Sequence, residues 1–311
     1  MTKVFIDGSA GTTGLRIHER LNSRKDIELI ALPEDLQKDL SARKDALHQA
    51  DVAFLCLPDP AAMEMADMVQ DAQTVIIDTS TAHRTSDLWA YGFPELSGQR
   101  QKIADAKRIA NPGCHASGFI ALVAPLVEKG VLKSDAALTC FSLTGYSGGG
   151  KKMIADYESD NADTLLEAPR VYGLTQQHKH LPEMAKMCHL TRPPLFSPIV
   201  SSFYAGMEVV VPLFAQQIDA EPEEIKAIYR EYYTGQLVRF SENADENGFL
   251  SAGAFTGRDD MQISVFGNEE RILLVSRFDN LGKGASGAAI QNMNIVLGLD
   301  ETTGLQTGGT V

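Results

Sequence analysis

The chain has 311 residues, more than the ~250–300 at which a single hydrophobic core stops growing, so two domains are expected. Hydrophobic residues at 44% and charged residues at 22% are ordinary globular values, which excludes a disordered or fibrous chain. A formal charge of −13 argues against nucleic acid and anionic membrane as partners, since both are bound largely through concentrated positive charge.

In chain order, KVFID reads as a strand, and the glycine-rich stretch after it opens a helix reaching about Leu21. IELIAL, DVAFLCLP and TVIIDTS read as further strands, separated by a polar helix and by the helical stretch AAMEMADMVQ. Strands alternating with helices specify a parallel, doubly wound sheet, because parallel neighbours need a crossover that packs on a sheet face. A further strand, KRIAN, leads through Pro112 and Gly113 into HASGFIALVAPLVEKG, a helix with its C-cap at Gly130.

From about Ala136 the strands lengthen and helices become sparse: ALTCFSLTG, PIVSSFYAGMEVVVPLF and MQISVFGNEERILLVSRFDN, the last a hairpin turned at Gly267-Asn268. This predicts a mixed, largely antiparallel second domain. A final helix runs from about Gly284 to Leu297, and GLQTGGTV after it reads as a loop or frayed end. No apolar run approaches the ~18 residues of a membrane span. The opening MTKVFIDGSAG enters a strand directly rather than a signal peptide, and four scattered cysteines form no C-x-x-C pair, so a cytoplasmic setting is expected.

GSAGTTG spans Gly8 to Gly14, between the first strand and the first helix. A pyrophosphate at a helix N-terminus must come close to backbone N–H groups, and a Cβ would obstruct it. Gly8, Ser9, Gly11, Thr12, Thr13 and Gly14 are therefore candidate dinucleotide contacts in a Rossmann-like domain, with a merely structural tight turn as the alternative. After the second strand, Glu34 and Asp35 suit a free ribose 2′-hydroxyl, whereas Lys38 and Arg43 suit a 2′-phosphate; spacing leaves that choice open.

Cys114 falls at a strand-to-helix junction. A helix N-terminus offers unpaired N–H groups and roughly half a positive charge, which favour a thiolate and can also hold an oxyanion. Cys56 and Cys140, inside apolar strands, read as inert packing thiols. In QQHKHLPEM, His178 and His180 are two apart and share one side of an extended segment. Either can serve as acid and base to Cys114, since imidazole titrates near neutrality. A metal site with Cys188 and His189 is the rival, but the closed spacing of a zinc site is missing and no metal is expected.

LTGYSGGGKK makes Ser147, Gly148 and Lys151 a candidate cradle for an anionic substrate, against a plain flexible turn. Asn292, with Asn294, interrupts the small and apolar run LGKGASGAAIQNMN; it is either a polar contact to bound cofactor or part of helix packing.

GSAGTTG, TSTAHR, YGFPEL, NPGC, SGGGK, H-K-H-x-P-E and GKGASGAAIQNMN occur in this order over nearly the whole chain. Together they resemble the N-acetyl-γ-glutamyl-phosphate reductases of arginine biosynthesis in their shorter form. NPGC joined to H-[RK]-H-x-P-E separates that family from the aspartate-semialdehyde dehydrogenases, which are similar in fold and mechanism. The resemblance implies NADP(H) as cofactor and a small acyl phosphate, N-acetyl-γ-glutamyl phosphate, as substrate. It implies Cys114 as the nucleophile that forms a thioester, a histidine of the H-K-H motif as acid and base with a lean to His178, and Gly11 to Gly14 beside the pyrophosphate. Arg84, in the segment matching the family's S-A-D-F-R, and Lys151 become the candidates for the substrate's anionic groups. Lys151 and Lys179 stand where the longer form usually has Arg, and the Ser/Arg loop common after the second strand is missing.

The expected architecture is α/β. A doubly wound dinucleotide-binding domain covers 1–113, completed by 284–311, and an α+β catalytic and oligomerisation domain covers 114–283, in a homo-oligomer, dimer or tetramer. Two rival functions stand: reduction of a different acyl phosphate by the aspartate-semialdehyde-dehydrogenase chemistry, and a non-catalytic dinucleotide sensor, which needs no Cys–His pair.

Overall fold

The computed structural model describes residues 1–70 and 73–308. The chain divides into two compact units: Met1–Pro112 with Ala285–Leu305, and Gly113–Gly284 with the described residues after Leu305. Among the described residues, no helix is long and apolar enough to cross a membrane.

The first unit opens with β1 (Thr2–Asp7), buried from Val4 to Asp7. α1 (Thr12–Asn22) follows, and its buried Gly14, Ile17 and Leu21 lie three and four apart, forming one stripe. Next come β2 (Ile27–Ile30) and α2 (Leu40–Gln49), which Asp39 caps by accepting the Ala42 amide at 2.8 Å. β3 (Val52–Leu55), α3 (Asp59–Asp67), β4 (Val75–Asp78), β5 (Ala90–Tyr91), α4 (Gln99–Ala104) and β6 (Arg108–Ala110) complete this stretch. The strands lie in the order β2-β1-β3-β4-β6-β5, every pair parallel. All four residues of β3 are buried, as a strand covered on both faces requires. β1 has β2 on one side and β3 on the other, so the chain reverses its winding at the C-terminal end of β1, where the glycines lie.

The second unit is organised on α5 (Cys114–Glu128), every residue of which from His115 to Leu126 is buried. Its cap is Lys129, one residue before the expected position; Gly130 follows at φ 77°. β7 (Thr139–Gly145), α6 (Gly150–Tyr157), β8 (Arg170–Val171), α7 (Leu181–Met187), β9 (Leu195–Ser201), β10 (Met207–Phe214), α8 (Pro222–Tyr232), β11 (Val238–Phe240), β12 (Met261–Gly267) and β13 (Arg271–Phe278) follow. They form a mixed sheet in the order β11-β12-β13-β10-β7-β9-β8. β7–β9 and β11–β12 are parallel and the remaining pairs antiparallel. The run PIVSSFYAGMEVVVPLF is two strands, β9 and β10, that flank β7 on opposite sides. The hairpin between β12 and β13 closes through the Asn268 amide and the Arg271 carbonyl at 2.9 Å, slightly later than expected.

α5 packs on β10 and β13, and Gly118 permits the close approach: a Cβ there would stand 2.5 Å from Val209 Cγ2 and 2.7 Å from Ser276 Oγ. The opposite face of the sheet is exposed in part, being covered at Val275 and Arg277. Phe141 pairs with Val210 and Pro212 with Leu273 on that face, and Phe141, Leu195, Phe214 and Leu273 are exposed.

A π turn at Gly282–Ser286 precedes α9 (Gly287–Val296), which therefore starts three residues later than expected. Ala289, Ile290 and Met293 join the first unit's core with Val4, Val52, Phe54 and Ile77. The tail is not frayed at Gln306, whose amide donates to Asp259 Oδ2 at 2.8 Å and whose carbonyl accepts the Asp259 amide at 2.7 Å. Residues 309–311 of the expected loop lie outside the described residues.

Candidate active site

In the first unit, Gly8 has φ 85°, a region open chiefly to glycine, and a Cβ there would meet the Cys56 carbonyl oxygen at 2.3 Å. Gly14 packs under the turn so closely that its Cβ would stand 2.4 Å from the Gly8 oxygen. Gly11 donates its amide to the Gly8 carbonyl at 3.0 Å and is the N-cap of α1. Ser9 and Thr13 are half-buried, and Thr12 Oγ1 is buried in the first turn of α1 without a hydrogen-bond partner. A side-chain-free cradle, a helix N-terminus and an orphaned hydroxyl suit a pyrophosphate.

A cleft of about 690 Å³ adjoins this turn, with Ser9, Glu34, Asp35, Lys38 and Arg43 on its wall. Arg43 is already engaged: Nε and Nη2 donate to the Asp7 carboxylate at 2.8–3.1 Å. Burial pushes the Asp7 carboxyl above its ordinary range, and Arg43 opposes that less strongly. Of the two cations suited to a 2′-phosphate, Lys38 is the exposed one, whereas Arg43 is buried and offset by Asp7.

Asn292 is buried. Its Nδ2 donates to the Gly92 carbonyl at 3.0 Å and to Asn111 Oδ1 at 3.2 Å, while its Oδ1 is buried without a hydrogen-bond partner. Arg84 is also buried, with Nε on the Asn111 carbonyl at 2.9 Å and Nη2 on the Thr79 carbonyl at 3.0 Å. Arg84 thus binds backbone just after β4 and β6, and Asn292 binds backbone just after β5 together with the Asn111 side chain.

In the second unit, Cys114 is the half-buried first residue of α5, behind the cap Gly113. Around the start of this helix the chain gathers histidines: the His178 and His180 rings lie 4.7 Å apart, and each is within 5.7 Å of the His115 ring, centroid to centroid. The His180 amide donates to His178 Nδ1 at 3.2 Å, so a neutral His178 carries its proton on Nε2. His115 is buried between Ser142, whose Oγ lies 2.6 Å from Nδ1, and Tyr172, whose hydroxyl lies 2.6 Å from Nε2. Burial, with a smaller contribution from His178, holds His115 at about 3, so it is neutral at physiological pH. Burial raises the Tyr172 hydroxyl well above its ordinary value, and Cys114 adds to that. Glu183, buried on α7, accepts the Gly113 amide at 3.2 Å and faces His180 Nε2 at 4.0 Å.

The other thiols differ. Burial pushes Cys56 up to about 12 and raises Cys140 and Cys188 as well, so none of them forms a thiolate at neutral pH. Ser147 is buried and accepts a hydrogen bond from Asn280 Nδ2 at 3.0 Å; Gly148 and Lys151 are exposed. Among the described residues no group of three or more His, Cys, Asp or Glu is arranged to hold a metal ion. His115, Ser142, Tyr172 and Glu183 have no role in the sequence reading. Glu183 was within sight as the acid of H-K-H-x-P-E and His115 as the neighbour of Cys114. Ser142 and Tyr172 carry no local signal, because only the strand pairing and the loop after β8 bring them to the cluster.

The sequence matches the semialdehyde dehydrogenase NAD binding domain over residues 3–106 and the semialdehyde dehydrogenase dimerisation domain over residues 114–280. Solved structures agree in fold. Aspartate semialdehyde dehydrogenase II of Vibrio cholerae superposes with a TM-score of 0.72 at 16% identity, over 96% of this chain and 98% of that one. The Candida albicans enzyme, solved with NADP, gives 0.69 at 16% identity, over 96% and 98%. Fold and site together define an oxidoreductase of the semialdehyde dehydrogenase class. Among curated proteins, N-acetyl-gamma-glutamyl-phosphate reductase 2 of a Nostoc species is 46% identical over 97% of this chain and 99% of its own length. The Brucella ovis N-acetyl-gamma-glutamyl-phosphate reductase is 46% identical over 95% and 99%. The chain belongs to the family of N-acetyl-γ-glutamyl-phosphate reductases.

Proposed function

We propose that the chain reduces N-acetyl-γ-glutamyl phosphate to N-acetylglutamate semialdehyde with NADPH, in arginine biosynthesis in the cytoplasm. The observation that carries this reading is Cys114 at the N-terminus of α5 with the His178–His180 pair gathered around the same helix start. The unit Met1–Pro112 with Ala285–Leu305 serves as the dinucleotide-binding domain and the unit built on Gly113–Gly284 as the catalytic and oligomerisation domain.

The glycine turn and Thr12 hold the cofactor pyrophosphate, and Lys38 takes the 2′-phosphate, Arg43 being held by Asp7. Asn292, with its unpaired Oδ1, is the candidate partner for the nicotinamide carboxamide. Bound NADPH supplies the hydride. Cys114 thiolate attacks the acyl carbon; the C–S bond forms as the C–O bond to phosphate breaks, giving a thioester. Reduction of that thioester leaves a thiohemiacetal oxyanion, which the N–H groups of α5 and the Nε2–H of His178 stabilise. Its collapse expels the Cys114 thiolate and releases the semialdehyde. Ser147, Gly148, Lys151 and Arg84 remain the candidates for the substrate's phosphate and carboxylates.

A homo-oligomer, a dimer at least, forms through the partly exposed face of the second sheet. Its support is the exposed apolar set Phe141, Leu195, Phe214 and Leu273 within the region that matches a dimerisation domain.

The test is the reaction run backwards from semialdehyde and NADP. Release of the thioester then requires phosphate, so without it NADPH should form once per active site and stop, and phosphate or arsenate should restore steady turnover. N-acetylglutamate semialdehyde should outperform aspartate semialdehyde by more than one methylene's ~1–3 kcal/mol, because the pocket must also satisfy an acetamido group. Steady turnover without either anion overturns the acyl-phosphate reading, and absence of any burst leaves a dinucleotide sensor.

A further inference from the structure

Asn280 joins two stretches that lie far from it in the sequence. Its side chain is buried, its Oδ1 accepts the Gly206 amide at 2.9 Å, and its Nδ2 donates to Ser147 Oγ at 3.0 Å. An asparagine carries acceptor and donor on one rigid plane, so a single side chain fixes both neighbours at once. Gly206 ends the crossover from β9 to β10, and that crossover already grips the start of the SGGGK loop: the Gly145 amide donates to the Gly206 carbonyl, Tyr146 to Phe203 and Ser147 to Tyr204, each at 3.0 Å. Ser147 is 1% exposed, its hydroxyl held by Asn280 from inside the fold. Gly148 lies over the pair, where a Cβ would stand 3.3 Å from Thr144 Oγ1 and 3.5 Å from Asn280 Nδ2. Beyond Gly148 the loop comes to the surface, and Lys151, exposed in the first turn of α6, forms no ion pair among the described residues.

The turn that carries Asn280 also reaches the thiol. Asp279 Oδ1 accepts the Leu281 amide at 2.7 Å, and the Asp279 carbonyl accepts the Gly284 amide at 3.0 Å. Gly284 packs so closely on the start of α5 that a Cβ would stand 3.0 Å from Cys114 Cβ. Residues 279–284 therefore touch Cys114 at one end and the back of the SGGGK loop at the other. We propose that Asn280 and Ser147 are positioning residues of the reaction: their hydrogen bond sets the loop on the turn that backs Cys114, so that Lys151 meets the phosphate group of the substrate. This rests on reading the loop as the phosphate cradle, and within it Ser147 acts through Lys151 rather than by touching substrate. Three successive glycines, Gly148 to Gly150, have no side chains to hold one conformation, so the aim of Lys151 depends on the anchor before them.

The experiment measures turnover from N-acetylglutamate semialdehyde and NADP against inorganic phosphate, with NADP binding by fluorescence and thermal unfolding, in full-length wild type, Ser147→Ala, Asn280→Ala, Lys151→Ala and the Ser147→Ala, Lys151→Ala double variant. Ser147→Ala keeps the Asn280–Gly206 bond and should raise the KM for phosphate about ten-fold, with kcat at saturating phosphate and NADP binding little changed. Asn280→Ala should show the same shift in KM with a larger loss of melting temperature, since it gives up both bonds. In the Lys151→Ala background Ser147→Ala should raise the KM no further, because the group it aims is gone. A lowered melting temperature with the wild-type phosphate KM in both Ser147→Ala and Asn280→Ala makes the bond merely structural and overturns the proposal. Full additivity in the double variant overturns it as well, since the anchor then acts without Lys151. The cradle reading fails separately: a wild-type phosphate KM in Lys151→Ala removes it, whatever Ser147 and Asn280 do.

Discussion

Glu183 Oε2 accepts the amide hydrogen of Gly113 at 3.2 Å, which ties the H-K-H-x-P-E helix α7 to the cap of the helix that begins with Cys114. One carboxylate thus fixes the thiol's helix start while its other oxygen faces His180 Nε2 at 4.0 Å. Glu183→Ala leaves the buried Gly113 N–H unsatisfied and should destabilise the protein by about 1–3 kcal/mol. Glu183→Gln keeps an acceptor and should fold normally, yet lose turnover ~10-fold or more as the charge beside His180 disappears. Thermal unfolding separates the two, and wild-type turnover in Glu183→Gln would remove the charge from the argument.

Limited iodoacetamide treatment should label Cys114 ahead of the other three thiols. Cys56, Cys140 and Cys188 are raised by burial and stay protonated at neutral pH, whereas Cys114 opens a helix at a half-buried position. Peptide mass mapping over a time course checks the order, and acyl phosphate should protect the labelled site. Faster labelling of Cys188 contradicts the assignment.

The strand–helix alternation and the glycine turn were legible because both are local: Gly8 and Gly14 are needed for the turn itself, whatever binds there. Cys114 was legible for the same reason, since a Pro-Gly pair before an apolar run marks a helix start. The partners of these residues were not. Arg43 reads as a free cation until α2 brings it onto Asp7, thirty-six residues earlier. Tyr172 and Ser142 reach His115 only through the loop after β8 and the strand β7, contacts that no periodicity encodes. The division of PIVSSFYAGMEVVVPLF into β9 and β10 was likewise hidden, because both strands are apolar and the crossover between them is decided by which sides of β7 they cover.

His115 makes the fold sensitive to acid. Its folded value, about 3, lies below the ordinary 6.5, so between these two values the unfolded chain binds more protons than the folded one. The stability this contributes is complete above about 6.5 and is lost as pH falls toward 3. Urea unfolding across that window should show a steeper loss in the wild type than in His115→Asn, whose other titrating groups are the same. Equal slopes would mean that His115 charges without opening its buried site.

His178 and His180 are neighbours with different surroundings, and the difference predicts their roles. His180 is 5% exposed beside Glu183, while His178 is half-buried with Nδ1 engaged by the His180 amide, leaving Nε2–H as its proton-bearing nitrogen. A proton donor must reach substrate, which favours His178. His178→Asn should therefore lower turnover ~10²–10⁴-fold with NADP binding retained. His180→Asn should cost stability as well as rate, because its buried ring packs against both His115 and His178. The informative comparison is rate against melting temperature for both variants. If His180→Asn melts like the wild type but loses turnover as severely as expected for His178, the acid and base assignment passes from His178 to His180.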